Sequence, residues 1–250
     1  MIRRAAAVVS SLAFTTLVHA GTAGAGPQLA TEQNRREALR VYRMGMELLS
    51  HEQFEKAAEQ FSRAVAKDPL LTRAHYGAGQ AYMGLRRYAS AVKAYSDCLQ
   101  AFRALHGLQI SHRFEVEQQR DEEVRELRET TRSLTQSGQG LRAVQAEGRL
   151  RDLERQRTAL EGPYQPPAAV LLALGSALYR GGNPEGAIEQ WQAAVAADPK
   201  LGEAHNNLAV VYLQAGRLDE ADREMQLAEK SGLRVNPQFK ADLKKASARK

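Results

Sequence analysis

The chain has one cysteine, Cys98, one tryptophan, Trp191, and only 6% aromatic residues in its 250 positions. A single cysteine excludes an intramolecular disulfide, so nothing staples this chain covalently. Cys98 stands where a small buried side chain is wanted and is expected to be an inert thiol. Catalytic spacing is missing as well: the sequence holds no HExxH, no GxxxxGK[ST], no GxSxG and no paired cysteines for zinc. Gly21, Gly24 and Gly26 follow no strand and do not form a nucleotide loop. His51, His75, His106, His112 and His205 are scattered, none with a second histidine or cysteine three or four residues away. An enzyme is not expected, and neither a cofactor nor a metal is implied.

Long apolar runs are scarce too. Ala5 to Val18 falls short of the roughly 18 residues a span requires and is diluted by Ser10, Ser11, Thr15 and Thr16. With Arg3 and Arg4 before it and small residues after it, the run reads as a secretory signal peptide over residues 1–25, cut after Ala20 or Ala25. The mature chain is then expected to be exported, periplasmic or extracellular. The formal charge of +6 loses two units with Arg3 and Arg4, and the rest is concentrated in the last eleven residues. That basic tail, Lys240, Lys244, Lys245, Arg249 and Lys250, makes at most weak contact with anionic envelope components. No nucleic-acid partner is expected.

What the chain does have is helix formers, Ala, Leu, Glu, Gln and Arg, in a copied arrangement. Leu171, Leu174, Gly175, Leu178, Ala187, Trp191 and Ala194 are followed, about 34 residues on, by His205, Leu208, Ala209, Tyr212, Ala221, Met225 and Ala228. The same internal spacing recurs in Val41, Met44, Gly45, Leu48, Ala57, Phe61, Ala64 and Pro69. It recurs again in His75, Ala78, Gly79, Tyr82, Ala91, Tyr95 and Cys98. Small residues such as Gly45 and Ala57 let two helix backbones approach, and Phe61 fills the gap toward the next repeat. Proline disfavours helix in the residue before it, so Asp68-Pro69 ends one unit. Gly107 is expected to end the helix of the second unit, where Arg103 replaces the proline. Gly181-Gly182-Asn183-Pro184 is a joint with its own cap. After Gly232, Asn236-Pro237 starts a last helix that covers the core with Phe239 and Leu243.

Between units two and three, residues 109–162 carry no lysine and many Arg and Glu. Folding this stretch about Ser137-Gly138-Gln139-Gly140 pairs Leu134 with Ala143, Thr131 with Ala146, Leu127 with Leu150 and Val124 with Leu153. That is an antiparallel, coiled-coil-like helical hairpin. The register fails further from the turn, and six medium apolar side chains do not offset the ordering of about fifty residues. The hairpin is therefore expected to fray, to pack on the repeats, or to pair with another chain. Acid-to-Arg spacings such as Glu147 with Arg151 support its helices.

The repeat spacing resembles the tetratricopeptide repeat family over about 140 residues. The resemblance implies an all-α solenoid of two plus two repeats, residues 31–105 and 168–235, with the hairpin at 109–162 and a capping helix and basic tail at 236–250. It also implies a concave groove, lined by the first helix of each repeat, that takes a protein or an extended peptide. Mapped onto this chain, the groove residues are Tyr42, Met46, Arg73, Tyr76, Gln80, Met83, Tyr179, Asn206 and Asn207. The family's clamp for a C-terminal carboxylate is absent, its positions being held by Tyr42, Met46, Gly77, Ala169 and Ala173. Asn207 alone matches an asparagine that some members use to hold peptide backbone. The half with Tyr42, Met46, Tyr76 and Met83 is the more ligand-like, and the assignment requires Tyr76 to be accessible. The function expected is a non-catalytic binding scaffold in the cell envelope. The rival is a homo-oligomer or assembly factor built through the hairpin.

Overall fold

A computed structural model describes residues 29–108, 113–158 and 164–248. Residues 1–25, expected from the sequence to be a signal peptide, lie outside the described residues. The helices are α1 (Glu32–Ser50), α2 (Phe54–Lys67), α3 (Thr72–Gly84), α4 (Tyr88–Leu108), α5 (Arg113–Gln136), α6 (Gly140–Thr158), α7 (Ala168–Arg180), α8 (Pro184–Ala197), α9 (Gly202–Gln214), α10 (Leu218–Lys230) and α11 (Pro237–Ser247). No strand occurs among the described residues.

The repeats are the pairs α1–α2, α3–α4, α7–α8 and α9–α10, each packed on the next. Close packing explains the small residues. A Cβ at Gly45 or at Gly77 would come within 2.7 Å of the Phe61 ring, so Phe61 is wedged between the first helices of two successive repeats. Trp191 takes the same place against Gly175 and donates its indole N–H to Leu172 O at 3.2 Å. The joints also follow local chemistry. Asn183 caps α8 by accepting from Gly186 N at 2.9 Å, and Gly182 takes the φ of +85° that a left-handed residue requires. Asn236 caps α11 in the same manner through Gln238 N, and α11 buries Leu243 against the last repeat.

The described part of α4 closes at Leu108, one residue past Gly107. Its second half is held by burial of Ala101 and Phe102 and by Tyr164, whose hydroxyl donates to Leu99 O at 3.1 Å.

The hairpin does not interrupt the solenoid, because α4 packs directly on α7. Its helices α5 and α6 turn back at Gly138, φ +72°, and pack on each other with Val124, Leu127, Ala143, Ala146 and Leu153 buried. Within the chain, the segment packs on the repeats. Val124, Leu127 and Leu153 share a core with Tyr76, Tyr95, Phe102, Val170 and Leu174. Arg151 turns away from Glu147 and pairs with Asp198 at 3.4 Å, a contact across the fold.

Candidate functional site

The inner face of the first three repeats is built by α1, α3 and α7, and the hairpin lies across it. The two surfaces enclose a cleft of about 910 Å³. One wall carries Tyr42, Met46, Leu49, Phe54, Gln80 and Met83, and the other carries Glu126, Thr130, Leu134, Val144 and Gln145. Arg73, Tyr76 and Arg149 line its inner end, and Glu203 reaches it from the first turn of α9.

The helix period brings these groups together. Tyr42 and Met46 are one turn apart on α1, as are Arg73 and Gly77, Tyr76 and Gln80 on α3. Gly77, which leaves room for Phe61, thus sits on the same helix as the cleft-lining positions.

At the inner end, charges from the hairpin meet charges from the repeats. Arg73 is 2% exposed and donates to Glu126 at 2.6 Å, while its guanidinium also lies 5.2 Å from the Tyr42 ring centre. Arg149 reaches into the fold from α6, donates to Glu123 at 2.8 Å and covers the Tyr76 ring at 4.3 Å. Burial pushes the Tyr76 hydroxyl up to about 12 despite the neighbouring Arg149. It raises Tyr42 as well, against the pull of Arg149 and Arg73.

The base of the hairpin is fixed by a second cluster. Asp152, on α6, accepts the Ala169 N–H at 2.8 Å and so caps the start of α7. Burial raises its carboxyl to about 6, against the lowering effect of the Ala169 and Ala168 amides and of Arg155. Nearby, Asp198 is pushed up by burial but pulled lower by the Lys200 N–H, Arg155 and Arg151, so its carboxyl lies below the ordinary value. Arg155 also donates to Ala197 O.

Six of the nine residues assigned from the sequence therefore line one cleft: Tyr42, Met46, Arg73, Tyr76, Gln80 and Met83. Accessibility is another matter. Tyr76 is 5% exposed and Tyr42 8%, so the open ring expected at Tyr76 is not there, because Arg149 lies on it. Arg73 is likewise engaged by Glu126. Met46, Gln80 and Met83 remain half-buried on the cleft wall. Tyr179, Asn206 and Asn207 lie outside this cleft; the Tyr179 hydroxyl donates to Gln214 at 2.8 Å, in the next repeat. Sequence reasoning missed the hairpin's half of the site, Glu123, Glu126, Leu134, Val144 and Arg149. Their spacing spoke only for helix.

Among the described residues no group of three or more His, Cys, Asp or Glu could hold a metal ion. None of the described helices is long and apolar enough to cross a membrane. Cys98 is fully buried, donates weakly to Thr72 O at 3.3 Å, and has its thiol pushed well up by burial.

A family model described as tetratricopeptide repeat matches residues 42–104 and 172–228. Solved structures similar in fold include PilW, a widely conserved type IV pilus biogenesis factor, at 15% identity and TM-score 0.41, covering 85% of this chain and 87% of that one. PilF of Pseudomonas aeruginosa is 15% identical at TM-score 0.36, over 83% of this chain and 82% of that one. YrrB, a repeat protein with an unusual peptide-binding site, is 19% identical at TM-score 0.30, over 86% and 95%. No curated protein matches the chain.

Proposed function

Because the chain belongs to the tetratricopeptide repeat family through residues 42–104 and 172–228, we propose that it is a non-catalytic scaffold that binds a protein or peptide segment in the cleft between repeats and hairpin. The observation that carries this reading is the cleft itself. Its volume of about 910 Å³ lies within the range of roughly 300–1,000 Å³ typical of ligand sites, and its lining mixes apolar side chains such as Met46, Leu49, Phe54 and Met83 with charged ones such as Arg43, Glu122, Glu129 and Glu203, a combination that suits a peptide carrying both apolar and charged groups. Met46 and Met83 are adaptable thioethers on the solenoid wall, and Gln80 between them can donate and accept a hydrogen bond to a backbone. The positively charged start, apolar run and small residues of segment 1–25 support an exported protein working in the cell envelope.

Affinity capture from the native envelope tests this. The double change Met46→Ala with Met83→Ala should weaken retention of the captured partner at least tenfold, about 1.4 kcal/mol. Asn207→Ala, outside the cleft, should leave it nearly unchanged. Equal retention by the wild type and the double variant would place the binding surface elsewhere. The rival reading, a homo-oligomer built through the hairpin, draws on Leu141, 66% exposed near the tip. Light scattering separates them, a Leu141→Glu variant changing the mass only if the tip joins two copies.

A further inference from the structure

Among the described residues, the charges that line the cleft are paired or open to water, with one exception. Arg149 pairs with Glu123 at 2.8 Å, Arg73 with Glu126 at 2.6 Å, and Arg43 with Glu122 and Glu126 at 3.5 Å. Arg125, Glu129, Arg142 and Arg180 also line the cleft and are exposed. Glu203 is neither paired nor exposed. Its Oε1 is buried without a hydrogen-bond partner, and burial alone raises its pKa, with no cation to lower it.

The repeat spacing shows how this arises. Arg73, Ala169 and Glu203 hold the same place in the first helices of the second, third and fourth repeats, each two residues before His75, Leu171 and His205. The hairpin answers the first two. Glu126 of α5 meets Arg73, and α6 packs on α7 with Asp152 accepting the Ala169 N–H at 2.8 Å. Glu203 receives no hydrogen-bonding or charged group from the hairpin, yet it lines the cleft that the hairpin creates.

Arg73 differs from Glu203 in its charge balance. Its Nε and Nη2 are also buried without acceptors, but Glu126 balances the charge and the Tyr42 ring lies under the guanidinium. For Glu203 the only support is its seat in the first turn of α9, where the helix dipole favours a negative charge. A cation brought in from outside would complete it. The α7 stretch of the cleft, Ala169, Leu172 and Ala173, is apolar. Such a surface suits the methylene stem of a long basic side chain whose charged head reaches a carboxylate.

We propose that Glu203 receives a lysine or arginine side chain of the bound segment, so that the partner presents a basic residue among apolar ones. This rests on the peptide-binding role proposed above and specifies the charge of the ligand.

The test passes a random library of short peptides, acetylated and amidated so that side chains are their only charges, over the immobilised full chain. Retained peptides should be enriched in Lys and Arg at one position. For a retained sequence, the member with Lys there should bind about tenfold more tightly than its norleucine counterpart, and Glu203→Gln should bring the two within about twofold of each other. Glu203→Lys should select Asp or Glu at that position instead, an inversion that a merely destabilised variant would not show. Retention without a basic preference, or a preference that survives Glu203→Gln, overturns the assignment and leaves peptide binding in the cleft intact. A wild type that retains no peptide fails the binding role itself, and the part given to Glu203 falls with it.

Discussion

The guanidinium of Arg149 stands 4.3 Å from the centre of the Tyr76 ring while donating to Glu123 at 2.8 Å. One side chain from the inserted hairpin thus covers the aromatic of the repeat groove and neutralises a buried carboxylate on the neighbouring helix. Arg149 and Glu123 side chains are only 11% and 9% exposed. Arg149→Ala leaves Glu123 buried without a counter-charge and is expected to cost about 3–5 kcal/mol. The pair change Arg149→Met with Glu123→Leu, which removes both charges, should cost much less. Urea unfolding followed by circular dichroism compares them, and a double variant no better than the single one would sink the account.

Phe61 between Gly45 and Gly77 sets the spacing of the first two repeats. Gly77→Ala drives a methyl into that ring and should destabilise by about 1–3 kcal/mol. Adding Phe61→Leu to Gly77→Ala should recover part of the loss, because the smaller side chain makes room. Thermal unfolding of the three variants checks it; no recovery would mean that the strain lies elsewhere.

Asp152 gives the hairpin base a pH dependence. Its folded pKa, about 6, lies above the ordinary 3.8, so the ionised form is penalised in the folded state. Stability should rise as pH falls through about 6 and level off below about 4, a gain of up to about 3 kcal/mol. Asp152→Asn keeps an oxygen for the Ala169 N–H and removes the penalty. The variant should therefore be more stable than the wild type at pH 8, and the difference should vanish by pH 4. A constant difference across that range would rule out this titration.

His205 works in the opposite sense. Its Nδ1 faces Glu224 at 2.6 Å and its Nε2 faces Pro199 O at 3.1 Å, two acceptors that favour the protonated ring. The Glu224 hydrogen bond is the main cause of its raised pKa, partly offset by burial. The stability it contributes is whole below the unfolded value of 6.5 and is lost as pH rises through the folded one. Glu224→Gln should cost about 1–3 kcal/mol near pH 6 and little at pH 9. A proton NMR titration of His205 supplies the direct reading, and an unshifted ring in the wild type would contradict it.

The capping helix separates packing from charge. Leu243 is 3% exposed, whereas Lys244 and Lys245 are exposed. Deleting residues 244–250 should leave the melting temperature nearly unchanged, while Leu243→Ala should cost about 2–5 kcal/mol. A large loss on truncation would show that the tail is structural.

The repeats were legible because their packing is local and periodic. Gly45, Phe61, Gly175 and Trp191 each meet a partner at a fixed offset, and the Asn183 and Asn236 caps need only a few neighbouring residues. The hairpin's turn was legible for the same reason, at Gly138. Its destination was not. Arg149 reads as one more arginine on a charged helix, and neither its spacing nor its neighbours announce Tyr76. Glu126 gives no sign of Arg73.

By itself, the sequence determined an all-helical chain of four copied helix pairs with a hairpin between the second and third, because small-to-large spacing and turn chemistry act over a few residues. Only the tertiary structure decided that the hairpin lies across the groove, turns an open face into a two-walled cleft and withdraws Tyr76 and Arg73 from solvent. Those outcomes depend on contacts between residues far apart in the chain, such as Arg73 with Glu126 and Asp152 with Ala169. Their strength comes from burial, and burial exists only once the elements have met.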